Sequence, residues 1–515
     1  MCNAPQLKAA SLWQLLEQRV ASNPSSIFLI DPITDRLVSF GDFKLRVEQH
    51  AAWLLQQGIG STSVVVWQWP TEIEAVILMF ALSRLGVVQA PVIHLYRERE
   101  ISEIVQQVQP THFLVMDEVD TTERLQRVQS VVSALPEIQR PEIIPISQLP
   151  LVDGAVLPDY QPAANQVRWY FFTSGTTARP KGARHSDQSL MAGGIFLAQA
   201  LDVTGKDVGT VGYPIAHIGG IVYCAMALNT GIPVVLLVRY TADLVVASYR
   251  RYDVSLAGGS TAHYQLLLEE QRKQPDEPLL PALRLLSGGG AAKPAALFAQ
   301  VKDELGVKIV HAYGMTEAPI SCSNTPYDSD EQLTHSDGIV MPNLEIKIID
   351  SQGKEVSRGE RGEIILRGPN LCQGYLIEEQ TVAAFDSDGF YHTGDLGLIR
   401  EDGHIAITGR LKEIIIRKGE NISAREIEEL LAKHSAVKDV AVIGLPDDER
   451  GEMVCAVVEL VDGSVGITME QMQIFLADQQ LMRQKIPERL EIMHRLPRNE
   501  SLQKVQKNIL YEMFA

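Results

Sequence analysis

Hydrophobic positions in the first two-thirds of the chain follow alternating helical and strand patterns. Ser11–Val20 carries apolar residues at helical spacing, which predicts an amphipathic helix. Ser63–Trp67 and Val87–Ile93 are short apolar runs that predict buried strands, and Glu72–Leu85 between them predicts a helix. A strand–helix–strand unit of this size indicates an α/β fold with a parallel sheet and right-handed crossovers.

The pattern changes after about residue 340. Leu344–Ile349, Glu363–Leu366 and Ile405–Thr408 are short segments of strand character, and turn sequences that contain Asp and Gly stand between them. These features predict a small antiparallel, barrel-like subdomain over about 340–410. We expect it to form the end of a large N-terminal domain that spans residues 1–410.

A third pattern occupies residues 411–515. Ser423 stands three residues before Glu426 at the start of a helical apolar run, which predicts a helix that opens with a capping box. Val437–Leu445 and Met453–Val461 predict strands. This part of the chain is therefore predicted to be a small α+β C-terminal domain.

The composition is that of a globular protein, and the charge narrows the range of partners. The 515 residues are 45% hydrophobic and 21% charged, and a chain of this length holds about two to four domains. The formal net charge of -18 excludes a non-specific nucleic-acid binder, which needs a basic surface to replace phosphate counterions. A local basic pocket for an anion is compatible with an acidic total.

Cysteine usage and the N-terminal segment indicate the cellular compartment. The five cysteines are scattered without CxxC spacing, which argues against a disulfide framework or a zinc site and fits a reducing compartment. The N-terminal segment lacks the apolar stretch of a signal peptide. The longest uncharged run, Gly219–Val238, is interrupted by Asn229, Gly231 and Pro233, so it predicts a buried helix, a turn and a buried strand. We therefore expect a cytoplasmic protein without a transmembrane segment.

The segment Phe171–Gly182, FFTSGTTARPKG, carries the first chemical pattern. Hydroxyl groups, free backbone N–H groups and one lysine after an apolar strand suit polyphosphate oxygens. The segment differs from a Walker A loop, because Pro180 stands in place of the second glycine and Gly182 follows the lysine. On composition alone, a polar surface turn stays an alternative. The candidate phosphate-binding residues are Thr173, Ser174, Gly175, Thr176, Thr177 and Lys181.

The loop at 171–182 resembles the phosphate-binding signature of the adenylate-forming superfamily, which contains acyl-CoA synthetases, luciferases and peptide-synthetase adenylation domains. Similar motifs follow in the same order, and the resemblance covers roughly Phe40 to the C-terminus. It implies an enzyme, most like a stand-alone acyl-CoA ligase, that joins a carboxylic acid to AMP and passes the acyl group to a thiol. The similar segments are Tyr213–Gly219, Leu285–Ala291, His311–Glu317, Tyr391–Asp395, Gly409–Glu413 and Arg417–Ser423.

The resemblance implies a nucleotide site around one of these motifs, HAYGMTE. Tyr313 would stack on adenine, and Thr316 would bind the α-phosphate. Glu317, with Thr176 nearby, would hold Mg²⁺, a hard cation that prefers carboxylate and phosphate oxygens. The other residues that the resemblance implies for the nucleotide are Gly289, Gly290, His311, Ala312 and Gly314.

The resemblance also implies groups for the ribose and for the acid. Asp395 would accept hydrogen bonds from both ribose hydroxyls, and Arg410 would contact the ribose as well. His217 would lie near the substrate carboxylate and the thiol entrance, although a lone histidine beside apolar residues is also typical of a packed core. The pocket around His217, Gly288, Gly289 and Met315 is mostly apolar, without a cation for a second carboxylate, so we expect a medium-chain, alicyclic, aromatic or sterol-derived acid.

The segment Leu496–Lys507, LPRNESLQKVQK, resembles the superfamily's adenylation motif with two departures. Gln503 replaces the glycine that usually precedes the lysine, and the loop is one residue longer. Lys504 is the best match to the adenylation lysine, whose ammonium group would bridge the carboxylate and the α-phosphate. Lys507 is the alternative. The other candidate catalytic residues are Thr173, His217 and Glu317.

Lys412 falls at the hinge position of the superfamily, where the chain passes from the large domain to the small one. A hinge residue absorbs a change in φ and ψ, so its side chain matters less than its backbone. The resemblance implies a mobile small domain that serves adenylation in one orientation and thiol transfer in another, with Arg417–Ser423 facing the active site in the second.

Three functions remain open from the sequence. The first is an ATP-dependent carboxylic acid–CoA ligase that uses ATP, Mg²⁺ and coenzyme A. The second is an adenylating enzyme that loads a separate carrier protein. The third is a catalytically silent, nucleotide-binding regulatory protein, supported by the irregular adenylation motif. Each of the three is compatible with a monomer or a homodimer.

Overall fold

The computed structural model describes residues 8–116, 122–146, 150–152, 154, 156–160, 164–173, 180–290, 295–417, 420–447, 451–479, 481–499 and 503–515. Within them the α-helices are α1 (Leu12–Ser22), α2 (Phe40–Gln56), α3 (Ile73–Arg84), α4 (Glu98–Val108), α5 (Thr122–Ser133), α6 (Asp187–Ala200), α7 (Ile218–Thr230), α8 (Ala242–Arg251), α9 (Thr261–Arg272), α10 (Ala295–Gln300), α11 (Asp330–His335), α12 (Glu378–Ala384), α13 (Ala424–Leu431), α14 (Met469–Asp478) and α15 (Lys507–Phe514). Shorter helical segments are Glu137–Gln139, Val301–Leu305, Leu411–Glu413 and Arg483–Lys485.

The strands of the same residues are β1 (Ile27–Asp31), β2 (Arg36–Ser39), β3 (Val64–Gln68), β4 (Val88–Val92), β5 (His112–Met116), β6 (Glu142–Ile146), β7 (Val167–Thr173), β8 (Lys181–Ser186), β9 (Gly209–Val211), β10 (Val234–Leu236), β11 (Leu256–Gly259), β12 (Leu285–Gly289), β13 (Lys308–Tyr313), β14 (Cys322–Ser323), β15 (Ile339–Val340), β16 (Glu345–Ile349), β17 (Gly362–Arg367), β18 (Tyr391–Ile399), β19 (Ile405–Arg410), β20 (Ile414–Arg417), β21 (Glu420–Ser423), β22 (Val437–Asp447), β23 (Gly451–Leu460) and β24 (Arg489–Met493).

The strand order confirms the predicted α/β fold. One sheet has the order β6-β5-β3-β4-β7-β8, and its strands are parallel except for the pair β7–β8. The other sheet has nine strands in the order β15-β14-β13-β12-β11-β9-β10-β1-β2 and is parallel from β13 to β1. The predicted β3–α3–β4 unit is present, and each of its bounds lies within one residue of the prediction.

One hydrophobic core joins the two sheets through the helices between them. It contains apolar side chains of α2, α3, α6 and α7 together with residues of both sheets, such as Trp67 and Val211. The uncharged run at 219–238 lies here: α7 ends at Thr230, Gly231 caps it with a left-handed φ of 79°, and β10 follows. Within the part of the chain that the structure describes, no helix has both the length and the apolar character needed to cross a bilayer.

The segment after residue 340 forms an antiparallel sheet with the order β16-β17-β18-β19. We expected a barrel-like shape, but among the described residues no pairing closes β16 onto β19. The apolar face of the sheet packs against the large body, where Ile348 and Ile364 share a cluster with Phe196 of α6 and Tyr313 of β13. Because a neighbouring layer covers this face, the sheet does not need to close on itself.

The C-terminal part is a sheet in the order β21-β20-β23-β22, with β24 paired to β23. Helix α13 begins after Ser423 as predicted, but the predicted capping box does not form. The Ser423 hydroxyl instead donates to the Thr408 carbonyl at 3.2 Å, and the Glu426 carboxylate accepts from Lys485 at 2.7 Å. Tertiary partners have replaced the local cap. The domain boundary at residue 410 stays a prediction.

Candidate active site

A cleft of about 2580 Å³ lies between the large body and the C-terminal part. It collects the described residues that the sequence predicts for the nucleotide, the metal, the acid and the adenylation lysine. Ser174, Gly175, Thr176 and Thr177 lie outside the described residues, and so does the side chain of Lys412. The predicted residues that line the cleft are Thr173, Lys181, His217, Gly288, Gly289, Gly290, His311, Ala312, Tyr313, Gly314, Met315, Thr316, Glu317, Asp395, Arg410, Lys504 and Lys507.

The position of the cleft follows from the parallel strands. The carboxyl ends of β11, β12 and β13 meet at one edge of the nine-stranded sheet, which is where ligands bind in open α/β sheets. The glycines there serve backbone packing as well: a Cβ on Gly288 would lie 1.7 Å from the Gly259 carbonyl oxygen, and one on Gly289 would lie 2.1 Å from that of Ala312. A side chain at either position would therefore force the strands apart.

Asp395 is the centre of a buried polar cluster. One carboxylate oxygen accepts a hydrogen bond from the Tyr313 hydroxyl at 2.8 Å, and the other lies 2.8 Å from Nε of Arg410. The register of β18 and β19 places Asp395 directly opposite Arg410. Burial raises the pKa of Asp395, while Arg410 and then Tyr313 oppose that rise. The cluster keeps the carboxylate fixed and leaves lone pairs that could accept further hydroxyl donors.

Glu317 follows β13 and is buried at the cleft wall, with 8% of its surface exposed. Its Oε1 accepts a hydrogen bond from the Tyr375 hydroxyl at 2.7 Å, and its carbonyl accepts one from Cys372 N–H at 2.8 Å. No described group of three or more His, Cys, Asp or Glu side chains could hold a metal alone. A single carboxylate nevertheless fits Mg²⁺, which is commonly bound by one or two carboxylates together with substrate phosphates.

His217 forms the N-cap of α7 at the cleft wall. Its Nδ1 accepts a hydrogen bond from Gly219 N–H at 3.0 Å, and its ring stacks on Tyr213 with the centroids 5.6 Å apart. Burial lowers the pKa of His217 to about 3, and the positive charge of Lys504 acts in the same direction. The imidazole is therefore neutral near pH 7, with its proton on Nε2, and can act as a hydrogen-bond donor there.

Lys504 comes from the C-terminal part and reaches the edge of the nine-stranded sheet. A Cβ on Gly290 would lie 3.6 Å from its Nζ. Burial lowers the pKa of Lys504 to about 8, and Arg410 adds to the effect, whereas Asp395 and Glu317 oppose it. Lys504 N–H donates to Oδ1 of Asn499 at 2.9 Å, which closes the loop that carries the lysine.

Lys507 has a different environment from Lys504. Its Nζ lies 2.9 Å from Oε2 of Glu413 and 2.8 Å from Oε1 of Glu428. Burial alone would lower the pKa of Lys507, but the two carboxylates raise it above its ordinary value. Gln503 has a φ of 55°, in the left-handed region that favours glycine. In the superfamily the adenylation lysine usually follows a glycine. A left-handed residue directly before Lys504 therefore supports Lys504, not Lys507, as the counterpart of that lysine.

His185 and Tyr375 lie outside the predicted motifs and contact residues of this site. His185 is fully buried, and its Nε2 lies 2.8 Å from the Thr316 carbonyl oxygen. Burial lowers its pKa to about 4, so the neutral ring can donate this hydrogen bond near pH 7. Tyr375 contacts Glu317 as described above. The only sequence signal for either was a polar side chain in an apolar setting, which is too common to single out a site.

Arg417 of the predicted thiol-step segment does not line the cleft in this arrangement. Arg417 pairs with Glu488 through Nε at 3.0 Å and is not part of the cleft wall, while residues 418 and 419 lie outside the described residues. With Lys504 in the cleft and Arg417 outside it, the structure has the arrangement expected for the adenylation orientation.

The comparisons with known proteins agree with this geometry. Residues 16–376 match the sequence model of the AMP-binding enzyme family, and residues 426–502 match that of its C-terminal domain. The chain belongs to the AMP-binding enzyme family. The predicted adenylate-forming superfamily and the predicted enzyme class, an AMP-forming acid–thiol ligase, are thereby confirmed.

Individual relatives align over nearly the whole AMP-binding chain. The medium-chain fatty-acid–CoA ligase of Escherichia coli strain K12 is 29% identical over 518 residues, which cover 97% of this chain and 90% of the relative. The indoleacetate–CoA ligase of Aromatoleum aromaticum is 29% identical and covers 93% and 94%. The crystal structure of ATP-bound MatB from Rhodopseudomonas palustris superposes with a TM-score of 0.88 at 28% identity, over 98% of this chain and 99% of that one.

Proposed function

We propose that the protein is an ATP-dependent carboxylic acid–CoA ligase whose substrate is a hydrophobic acid. The observation that carries the proposal is the meeting of Lys504 from the C-terminal part with Glu317 and Asp395 from the large body in one cleft. The Lys504 ammonium group suits the negatively charged phosphates of a nucleotide. The carboxylate of Asp395 suits the ribose hydroxyls, and that of Glu317 suits a cation bound to the phosphates.

In the first half-reaction, a carboxylate oxygen of the acid attacks the α-phosphorus of ATP, and the bond to pyrophosphate breaks. Lys504 neutralises the negative charge shared by the carboxylate and the α-phosphate, and Lys181 neutralises charge on the leaving pyrophosphate. Asp395 holds the ribose, and Glu317 would hold Mg²⁺, which would supply further charge neutralisation at the phosphates. Positioning and electrostatics are sufficient, so no covalent enzyme intermediate is required.

In the second half-reaction, the thiol of coenzyme A attacks the acyl carbonyl, the bond to AMP breaks, and the thiol proton passes to solvent or to a nearby base. Neutral His217 can donate a hydrogen bond from Nε2 to an acyl oxygen, which would orient the carbonyl for attack. We propose that rotation at Lys412 first removes Lys504 from the cleft. The backbone of Lys412 belongs to the turn Leu411–Glu413, which lies between the antiparallel sheet and the C-terminal sheet.

The wall beside the acyl position supports a hydrophobic acid. Helix α7 and strand β12 contain no charged residue, and neither contributes a cation for a second carboxylate. The relatives named as medium-chain fatty-acid–CoA ligase and indoleacetate–CoA ligase act on acids of this kind. The apolar side chains that line this part of the cleft include Leu197, Ile218, Val222, Tyr223, Met315 and Ile320.

The test is a panel of straight-chain, alicyclic, aromatic and dicarboxylic acids assayed with ATP, Mg²⁺ and coenzyme A. We expect pyrophosphate release and formation of acyl-CoA, identified by mass, with monocarboxylic hydrophobic acids. Pyrophosphate release without acyl-CoA would favour the loading of a carrier protein. The absence of pyrophosphate release with every acid would favour the regulatory alternative. A cytoplasmic location and a homodimer stay predictions.

A further inference from the structure

We propose that Tyr375 is a positioning residue that holds the phosphate-binding Lys181 and the metal-binding Glu317 in one fixed arrangement. The inference rests on the proposed function, because the two residues have these roles only in an enzyme that binds ATP with Mg²⁺. Tyr375 belongs to none of the motifs that the sequence analysis singled out. It lies in the connection between β17 and α12 and is 2% exposed.

The side chain of Tyr375 contacts both groups at once. Its hydroxyl donates to Oε1 of Glu317 at 2.7 Å. The ammonium group of Lys181 lies 5.1 Å from the centroid of its ring, within the distance at which a cation is attracted to the face of an aromatic ring. One rigid ring therefore sets the spacing between a cation and a carboxylate that reach the cleft from different sheets.

A second tyrosine fixes the direction of the hydroxyl proton. The Tyr391 hydroxyl lies 3.2 Å from that of Tyr375. Because the Tyr375 proton is donated to Glu317, the Tyr391 hydroxyl must be the donor in the pair of tyrosines. The Tyr375 proton therefore stays directed at Glu317, where Oε1 accepts it and Oε2 could bind a cation.

The backbone around Tyr375 ties the same parts of the site together. Residues 374–376 run beside β8, which begins at Lys181: Arg184 N–H donates to the Gly374 carbonyl at 2.9 Å, and Leu376 N–H donates to the Gly182 carbonyl at 2.8 Å. The Cys372 N–H donates to the Glu317 carbonyl at 2.8 Å. The segment is thus anchored both to the strand of the lysine and to the residue that carries the carboxylate.

The experiment measures ATP binding by calorimetry in the absence of any acid, with and without Mg²⁺, so that no turnover occurs. The substitution Tyr375→Phe keeps the ring and removes the hydroxyl. We expect the Mg²⁺-dependent gain in ATP affinity to fall about tenfold to a hundredfold, as for the loss of a hydrogen bond to a charged group. ATP binding without Mg²⁺ should stay as in the wild type, because Lys181 keeps its contact with the ring.

Two further variants separate positioning from general stability. Tyr375→Leu removes the ring as well, so ATP binding without Mg²⁺ should also weaken, by about threefold. Tyr249→Phe is the matched control, because Tyr249 is an equally buried tyrosine that does not line the cleft. It should leave the gain from Mg²⁺ unchanged. If Tyr375→Leu does not fold, Tyr375→Phe tests the Glu317 contact by itself.

A double-mutant cycle provides the sharpest test. If Tyr375 acts through Glu317, then Tyr375→Phe should have no further effect on the gain from Mg²⁺ in a Glu317→Gln background. An undiminished effect there, or equal weakening with and without Mg²⁺ in Tyr375→Phe alone, would overturn the proposal. A wild-type protein that gains no ATP affinity from Mg²⁺ would instead overturn the proposed function, so the two failures are distinguishable.

Discussion

The wall of the cleft formed by the large body and the wall formed by the C-terminal part present their functional groups in different ways. On the first wall, Asp395 is held by its cross-strand neighbour Arg410 and by Tyr313 from a second sheet. On the second wall, Lys504 stands in a loop closed by Asn499 and by one left-handed residue. The first wall is fixed by strand register, whereas the second depends on the orientation of a small domain. If the C-terminal part rotates as we propose, the binding groups remain in place while Lys504 is withdrawn from the cleft.

Two lysines on the second wall sharpen the same contrast. Burial, and then Arg410, lower the pKa of Lys504, although the carboxylates of Asp395 and Glu317 on the opposite wall act to raise it. Lys507, three residues later, is bound by Glu413 and Glu428 and has its pKa raised. A cation that must move into a reacting complex cannot already be neutralised by carboxylates of its own domain. Lys504 meets this requirement of the proposed role, whereas Lys507 is already paired with Glu413 and Glu428.

The largest effect should come from Lys504→Ala. Pyrophosphate release should fall by about 10²–10³-fold, the range for removal of one electrostatic group at a transition state. Acyl transfer to coenzyme A from a supplied acyl-adenylate should be retained, because the lysine serves only the first half-reaction. Single-turnover assays of each half-reaction would measure both. Lys507→Ala is the matched control, and a larger loss in that variant would move the catalytic role to Lys507.

The substitution Lys412→Pro should separate the two half-reactions, because it should restrict rotation of the C-terminal part. Proline fixes φ near −65°, which is compatible with the 3-10 turn at Leu411–Glu413 in the present orientation. We expect pyrophosphate release to persist and acyl-CoA formation to fall by about 10²-fold, the loss that misplacement of reacting groups produces. Lys412→Ala, which leaves φ free, should keep both half-reactions. Near-normal acyl-CoA formation by the proline variant would place the pivot elsewhere.

The substitution Asp395→Ala should weaken ATP binding without removing the reaction. Loss of hydrogen bonds to a charged group corresponds to about 1–3 kcal/mol, and calorimetric titration with ATP would measure it. The variant should also lose its preference for ATP over 2′-deoxy-ATP. Glu345→Ala is the control, because Glu345 is an exposed carboxylate in the same antiparallel sheet that pairs with Arg367. Unchanged ATP affinity in Asp395→Ala would contradict the ribose assignment.

The lowered pKa of Lys504 predicts the pH dependence of adenylate formation. The protonated form is the active one, so kcat/KM for pyrophosphate release should fall about tenfold per pH unit as the pH rises above about 8. A lysine with its ordinary pKa would keep its charge over that range. Lys504→Arg should remove the decline, since arginine stays charged. A decline that persists in the arginine variant would assign it to another group.

The smallest effect concerns the loop of Lys504. Gln503 has a left-handed backbone that glycine adopts at lower cost, so Gln503→Gly should raise stability by about 0.5–1 kcal/mol, seen as a modest rise in melting temperature. Gln506→Gly is the control, because φ of Gln506 is −95°. It should give no such gain. Destabilisation by Gln503→Gly would mean that the glutamine side chain has contacts that outweigh the backbone strain.

Much of the fold was accessible from local pattern. The β3–α3–β4 unit was placed to within one residue, because a buried strand and a buried helix each leave a period in the sequence. The predicted capping box at Ser423 was wrong, because contacts from outside the local sequence prevent it. Its residues had the right spacing, but Thr408 and Lys485 are tertiary partners that no local pattern contains.

The sequence by itself determined the family, the order of the motifs and a set of candidate residues that the fold brings together in one cleft, because binding a nucleotide requires particular side chains at particular strand ends. Only the tertiary structure gave Lys504 and Lys507 different environments, which favours Lys504 as the adenylation lysine, and only it brought Tyr375 and His185 to the site. These choices depend on which surfaces meet across the cleft and on which groups are taken out of water there. Burial and pairing of that kind arise between segments far apart in the chain, so spacing within a motif does not contain them.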